Sequence, residues 1–156
     1  MRDNYEGAWA ALPLRAAVGE THPTRMIGVL PFEHDFADTP LLDRAPAIRA
    51  ALGRFQCPLK SARLMRLGAG ARIREHVDPE LDAGAGRARL HVPLTTNPDV
   101  TFLLAGTRIE MAPGSTWYLR LTEPHAVSND GAGDRVHLVI DAVVDDWLGG
   151  MLRAAA

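Results

Sequence analysis

Apolar and polar positions follow no single period over residues 1–24, where Trp9, Leu12, Leu14 and Val18 are expected to cover part of a core. Residues 25–30 predict a short strand that Pro31 ends, and Glu33-His34-Asp35 predicts a polar loop. Ile48, Ala51, Leu52 and Phe55 fall at i, i+3, i+4 and i+7, the apolar stripe of a helix near residues 43–55. A start at Asp43 supplies an N-cap and leaves Pro46 in the first turn, where its missing N–H has no intrahelical partner. Leu41 and Leu42 then lie in a turn before the helix. Gly53 sits near its end, and Arg49 and Arg54 suit the negative pole of its dipole.

From Lys60 onward the period shortens. Residues 61–67, 72–75, 87–95, 100–104, 108–111, 116–121, 125–128 and 135–144 read as strands. Glycine and proline punctuation separates most of them, as in Gly68-Ala69-Gly70, Asn97-Pro98-Asp99 and Pro113-Gly114. About eight short strands joined by turns predict a sandwich or barrel. The fold class expected is mainly β, a double-stranded β-helix of the cupin-like jelly-roll type. Residues 145–153 predict a short C-terminal helix with Trp147, Leu148 and Met151 on one face. No internal repeat or linker breaks the chain, so residues 1–156 are expected to form one domain, with 60–144 as the jelly-roll catalytic core.

Composition narrows the function classes. The formal net charge is −2 and no basic run occurs, which gives no electrostatic support to nucleic-acid or membrane-surface binding. Cys57 is the one cysteine, excluding an internal disulfide framework and a cysteine zinc cluster. Met1–Glu6 lacks the pattern of a signal peptide, and no apolar run approaches a membrane span, so a cytoplasmic protein is expected. Sixteen of the seventeen basic residues are arginine, each able to bind a carboxylate bidentately.

The candidate chemistry starts at Glu75-His76-Val77-Asp78-Pro79. In extended backbone His76 and Asp78 share a face, and a second imidazole would complete the two-His, one-carboxylate set that suits Fe(II) and leaves positions open. Arg89 and His91 share a strand face opposite Leu90 and Val92. With the apolar pair turned outward under a helix, the polar pair enters the barrel, where it needs an anion or a metal. Arg135 opens an apolar run, where a buried charge requires a partner. That partner is Asp141, Glu123 or a dicarboxylate ligand. Arg63, Arg66 and Arg120 reach either a substrate carboxylate or solvent. His137 lines the pocket or is a core histidine, and Trp117 and Tyr118 are expected as core and rim aromatics. His22 and His34 are expected at the surface, and Cys57 buried.

Taken together, His76-Val77-Asp78, Arg89-Leu90-His91-Val92-Pro93, Asn97-Pro98-Asp99-Val100, Pro113-Gly114, Trp117-Tyr118, Pro124-His125 and the run 134–141 resemble the aspartyl/asparaginyl β-hydroxylase family of Fe(II)/2-oxoglutarate-dependent dioxygenases. The resemblance spans residues 60–147, with a second ligand motif followed ten positions later by an arginine. It implies His76, Asp78 and His125 as iron ligands and Arg135 as the residue binding the distal carboxylate of 2-oxoglutarate. Arg89 and His91 fall near the co-substrate's other end. O2 is the second co-substrate, and the products are succinate, CO2 and a hydroxylated amino acid or small amino-acid-containing molecule or peptide. The founding vertebrate enzyme lacks the carboxylate ligand. Asp78 supplies it here, as in bacterial members that resemble the proline hydroxylases. The competing expectations are a cupin-type metal enzyme that does not use 2-oxoglutarate and a non-catalytic jelly-roll binding module.

Overall fold

The structure, a computed structural model, describes residues 4–28 and 32–156. The end of the segment expected as a strand over 25–30, together with Pro31 and the first three residues, lies outside them. In chain order the elements are β1 (Tyr5–Glu6), β2 (Trp9–Ala17), α1 (Pro23–Met26), β3 (Phe36–Asp38), a 3-10 turn at Pro40–Arg44, α2 (Pro46–Leu52), β4 (Leu59–Leu67), β5 (Arg72–His76), a 3-10 turn at Ala83–Ala85, β6 (Arg87–Thr95), β7 (Val100–Leu104), β8 (Thr107–Ile109), β9 (Trp117–Tyr118), β10 (His125–Asn129), β11 (Arg135–Val143) and α3 (Asp146–Ala155).

Two antiparallel sheets pack face to face, the mainly β jelly-roll architecture. One runs β1-β5-β10-β7-β8 and the other β3-β2-β4-β11-β6-β9. Strand alternation gives the six-stranded sheet two working faces. Its outer face carries Leu14, Ala62, Leu90, Leu138, Ile140 and Ala142, which pack under α2 and α3 with Leu52 and Leu148. Its inner face turns Arg63, Arg89, His91, Arg135, His137 and Asp141 toward the other sheet, and all six are buried. A second apolar cluster between the sheets, built on Leu67, Phe102, Leu121 and Val127, closes the rest of the interior. The expectation that Leu90 faces a helix while Arg89 and His91 face inward is met.

Several boundaries differ from the sequence reading, each for a local reason. Residues 23–26 form a helical turn, not the start of a strand, because Pro23 sits at the turn's first position, where its fixed φ suits a helix. Helix α2 starts at Pro46 with Ala45 as N-cap, not at Asp43. A proline disfavours helical backbone in the residue before it, and Ala45 has φ −129° and ψ 65°, so the helix cannot run through it. Asp43 lies instead in the preceding 3-10 turn with Leu41 and Leu42, and its carboxylate accepts from Arg49 Nη2 at 2.5 Å. In α3 Trp147 and Leu148 face inward as expected, joined by Leu152, while Met151 is 56% exposed.

Strands β1, β2 and β3 are additions, and they carry both sheets beyond residue 60 toward the N-terminus. Pro13 hides β2 from a pattern reading. It is tolerated because β2 meets β3 only at residues 15–17, so at Pro13 one side of the strand has no ladder partner to satisfy. Leu14 is buried as expected and Trp9 packs on the inter-sheet cluster, but Leu12 and Val18 are exposed. Gly7, with φ +82°, joins β1 to β2. A Cβ there would lie 2.9 Å from Ala71 Cα, so glycine lets β1 close onto β5. No helix among the described residues is long and apolar enough to cross a membrane.

Candidate metal centre and its cavity

His76 ends β5 and His125 begins β10, and the two are direct partners in the antiparallel register. Their rings stand 4.2 Å apart, centroid to centroid. Asp78 follows β5 in a loop pinned by its own N–H, which donates to the carbonyl of Leu121 at 2.8 Å. Asp78 Oδ2 lies 3.9 Å from His76 Nε2 and 3.5 Å from His125 Nε2. One donor atom from each of the three residues falls within 4.8 Å of the others.

The imidazole orientations fit a metal. His76 Nδ1 lies 2.8 Å from the carbonyl of Arg74, and His125 Nδ1 lies 3.0 Å from the carbonyl of Glu123. A carbonyl only accepts, so each ring carries its proton on Nδ1 and turns an Nε2 lone pair to the common point. Two imidazoles and one carboxylate on one side of that point leave further coordination positions open. Burial raises the Asp78 pKa, but contact with His125 and the charge of Arg89 outweigh it, so the group sits below the ordinary aspartate value. Asp78 is therefore an anion ready to bind a cation.

The triad opens into a cavity of about 190 Å³ between the sheets, lined also by Arg63, Arg89, His91 and Arg135. That is below the roughly 300–1,000 Å³ of sites for drug-sized ligands, which limits the occupant to small molecules. Tyr5, Trp9 and Ile27, from the N-terminal segment, complete its wall.

Three guanidiniums are buried around this cavity, and they are not equivalent. Asp141, 2% exposed, accepts from Arg89 Nε at 2.7 Å and Nη2 at 3.0 Å, from Arg63 Nη1 at 3.4 Å and from Ser61 Oγ at 2.9 Å. Burial favours its neutral form, but Arg89 and Arg63 hold its carboxyl far below the ordinary range. Arg89 also reaches toward the triad, with Nη1 3.7 Å from Asp78 Oδ2. Arg135 has no such partner. Of the alternatives open in the sequence, Asp141 is taken by Arg89 and Arg63, and no carboxylate among the described residues pairs with Arg135. Its Nη2 donates to His137 Nδ1 at 3.0 Å, and its Nε is buried with no partner. Burial lowers its pKa to about 10, so it remains a cation at neutral pH. Arg135 and Phe102 stand between the triad cavity and a second one of about 660 Å³ beside the β7–β8 hairpin.

The remaining residues separate cleanly. Arg63 belongs to the buried set, whereas Arg66 pairs with Asp134 at 2.8 Å on the surface and Arg120 is exposed. Trp117 and Tyr118 pack into the two apolar clusters. His22 and His34 are exposed, and Cys57 is buried. The site residues missing from the sequence reading are Ser61 and the N-terminal wall of Tyr5, Trp9 and Ile27. Ser61 carried one signal, its place in the alternation Ser61-Arg63-Met65-Leu67. The wall residues carried none, since they act through strand pairing rather than through a motif.

A family model described as aspartyl/asparaginyl beta-hydroxylase matches residues 2–144. No curated protein matches the sequence. Similar solved structures include a predicted oxalate decarboxylase from Thermotoga maritima, at 17% identity over 61% of this chain and 73% of that one, with a TM-score of 0.43. A cupin 2 conserved barrel domain protein from Salinispora arenicola is 14% identical over 66% and 76%, with a TM-score of 0.41. A cupin domain from Bordetella pertussis is 15% identical over 57% and 86%, with a TM-score of 0.42.

Proposed function

The chain belongs to the aspartyl/asparaginyl β-hydroxylase family, and from that premise we propose that it is an Fe(II)- and 2-oxoglutarate-dependent hydroxylase of an amino acid or a small amino-acid-containing molecule. The observation that carries this reading is Arg135, a buried guanidinium with no carboxylate of its own, in the wall of the cavity that holds the His-Asp-His set. A buried cation without a counter-charge is costly, and a dicarboxylate ligand removes the cost through paired, charge-assisted hydrogen bonds.

His76, Asp78 and His125 would hold the metal from one side, and the backbone bonds to the two Nδ1 atoms fix the ring orientations before it arrives. Bound Fe(II), with 2-oxoglutarate and O2, supplies the oxidative step in which the oxoacid becomes succinate and CO2 and a substrate C–H becomes C–OH. Arg135 takes the distal carboxylate of the oxoacid. Arg89, locked by Asp141 and pointing past it toward Asp78, supplies positive charge near the co-substrate's other end. Tyr5, Trp9 and Ile27 form an apolar wall that keeps bulk water from the reacting atoms and leaves room only for a small substrate group.

Succinate release tests the proposal. The purified chain with Fe(II), ascorbate and 2-oxoglutarate is presented with a panel of free amino acids, their amides and short peptides. At least one is expected to give succinate and a product 16 mass units heavier in equal amounts, a balance set by one oxygen atom entering each. Metal-dependent turnover of a substrate with no succinate formed would favour a cupin-type reaction without 2-oxoglutarate.

A further inference from the structure

The two sheets meet along one side through the N-terminal strands, and strand register fixes what those strands turn inward. Residues directly opposite across an antiparallel ladder project to the same face. Tyr5 is opposite Ile73, Ile73 opposite Val127, and Val127 opposite Phe102. The last three pack between the sheets, so Tyr5 points there as well. From the other sheet, Trp9 is opposite Leu67, and Leu67 is opposite Arg135. Both of these are buried on the inner face, and Trp9 packs on the same inter-sheet cluster. The Tyr5 and Trp9 rings meet across the gap, with centroids 5.2 Å apart and planes tilted by 30°. Both residues line the triad cavity. The Tyr5 row lies two residues along β10 from His125, about 7 Å of strand. Tyr5 is held in place on both sides. The Arg74 N–H donates to the Asn4 carbonyl at 2.7 Å, and Arg74 Nε and Nη2 donate to Glu6 Oε1 at 2.9 and 2.7 Å.

The cavity therefore has two chemically distinct sides. The middle of the six-stranded sheet gives it Arg63, Arg89 and Arg135, and the five-stranded sheet with the Tyr5–Trp9 closure gives it hydrocarbon and ring faces. Asp78 is the one carboxylate among its described lining residues, and it belongs to the metal-binding set. A basic side chain would enter a chamber with three guanidiniums and no free counter-charge. An acidic side chain laid on the aromatic side would give up its water for hydrocarbon. An uncharged hydrocarbon side chain gains by its burial there. We propose that Tyr5 and Trp9 are specificity-determining residues, an aromatic side wall that receives a short aliphatic side chain of the substrate and refuses basic, acidic and bulky ones. This rests on the reading of the cavity as the hydroxylase chamber. Size is set by the same contact, because the two rings close the side of a cavity of about 190 Å³ that holds the co-substrate too.

Binding without turnover tests the proposal. The full chain, with Zn(II) in place of Fe(II) and with 2-oxoglutarate, is titrated with alanine, valine, leucine, aspartate, lysine and phenylalanine. The indole N–H resonances of its three tryptophans are followed, and Trp9→Phe assigns that of Trp9. At least one aliphatic amino acid is expected to shift the Trp9 resonance saturably, and aspartate, lysine and phenylalanine are expected to leave it in place. Tyr5→Ala is expected to weaken the aliphatic probe roughly tenfold, the effect of losing apolar contact with one side chain, and to admit phenylalanine. The rise in melting temperature given by Zn(II) and 2-oxoglutarate is expected to be the same in Tyr5→Ala as in wild type, which a merely structural role for Tyr5 would not allow. A Trp9 resonance that answers no probe, or answers aspartate or lysine as strongly as the aliphatic set, overturns the proposal whether or not the variant folds. So does a Tyr5→Ala variant that binds every probe and the co-substrate more weakly by the same factor. A Trp9 response to the aliphatic probes with no succinate in the turnover assay would instead count against the hydroxylase reading alone.

Discussion

Replacing Asp141 with alanine is expected to lower the unfolding free energy by roughly 3–5 kcal/mol, the loss that follows when one partner is taken from a buried ion pair. Asp141 is 2% exposed and faces Arg89, 8% exposed, and Arg63, 3% exposed. Without the carboxylate, Arg63 loses its ion-pair partner and Arg89 keeps only Asp78, at 3.7 Å. Asp141→Asn keeps the shape and removes the charge, so it is expected to lose most of the same stability. The pH dependence has a definite sign. The folded carboxyl lies far below its unfolded value of about 3.9. Its stabilisation is therefore fully present above that value and is lost as pH falls toward the folded one. Urea denaturation of wild type and Asp141→Ala is expected to show a constant gap from pH 5 to pH 7 that narrows below about pH 4. A variant within 0.5 kcal/mol of wild type, the range of a neutral surface change, would mean that the arginine pair is not held together by this carboxylate.

The second large effect is on ligand rather than stability. Arg135→Ala is expected to raise the 2-oxoglutarate requirement roughly 10- to 100-fold, since a hydrogen bond to a charged group contributes about 1.5–3 kcal/mol and each 1.4 kcal/mol is tenfold. The metal affinity is expected to stay unchanged, because Arg135 touches no member of the triad. Arg135→Lys is expected to lie between, keeping the charge and losing the planar fork. Stability gives an independent reading. Arg135 has no carboxylate to leave behind, so its removal is expected to destabilise the unliganded protein much less than removal of Asp141. Added 2-oxoglutarate with a redox-inert divalent metal is expected to raise the melting temperature of wild type and hardly that of Arg135→Ala. Equal requirements in wild type and Arg135→Ala would place the distal carboxylate elsewhere.

These two arginine environments also show how far the sequence could be read. The strands from β4 to β11 were legible, because period-2 alternation and glycine turns are local signals. The candidate ligands were legible because His76-Val77-Asp78 and His125 sit in recognisable order with Arg135. The division of labour among the arginines was not. Which guanidinium takes Asp141 depends on the register of β11 against β4 and β6, and register is a long-range property. Asp141 meets Arg89 across one ladder, and Arg63 reaches it from the other. The sequence left Asp141 open as a partner for Arg135, six positions away on the same strand, although the two lie at opposite ends of it. The N-terminal wall was hidden for a similar reason: Pro13 in β2 and the two-residue β1 look like loop until their partners are in place. The missed start of α2 was local after all, since the restriction that Pro46 places on Ala45 could have been applied to the sequence.

The central claim is that His76, Asp78 and His125 bind a metal that shares its cavity with 2-oxoglutarate, and anaerobic titration tests it most directly. Fe(II) is added to the protein, then 2-oxoglutarate, while the visible spectrum is followed. Wild type is expected to develop a weak charge-transfer band from the chelated oxoacid that saturates with one metal and one co-substrate per chain. Asp78→Ala is expected to weaken it, and Arg135→Ala to shift its appearance to higher 2-oxoglutarate concentration. A wild-type protein that binds no Fe(II) and develops no band on adding 2-oxoglutarate would contradict the account.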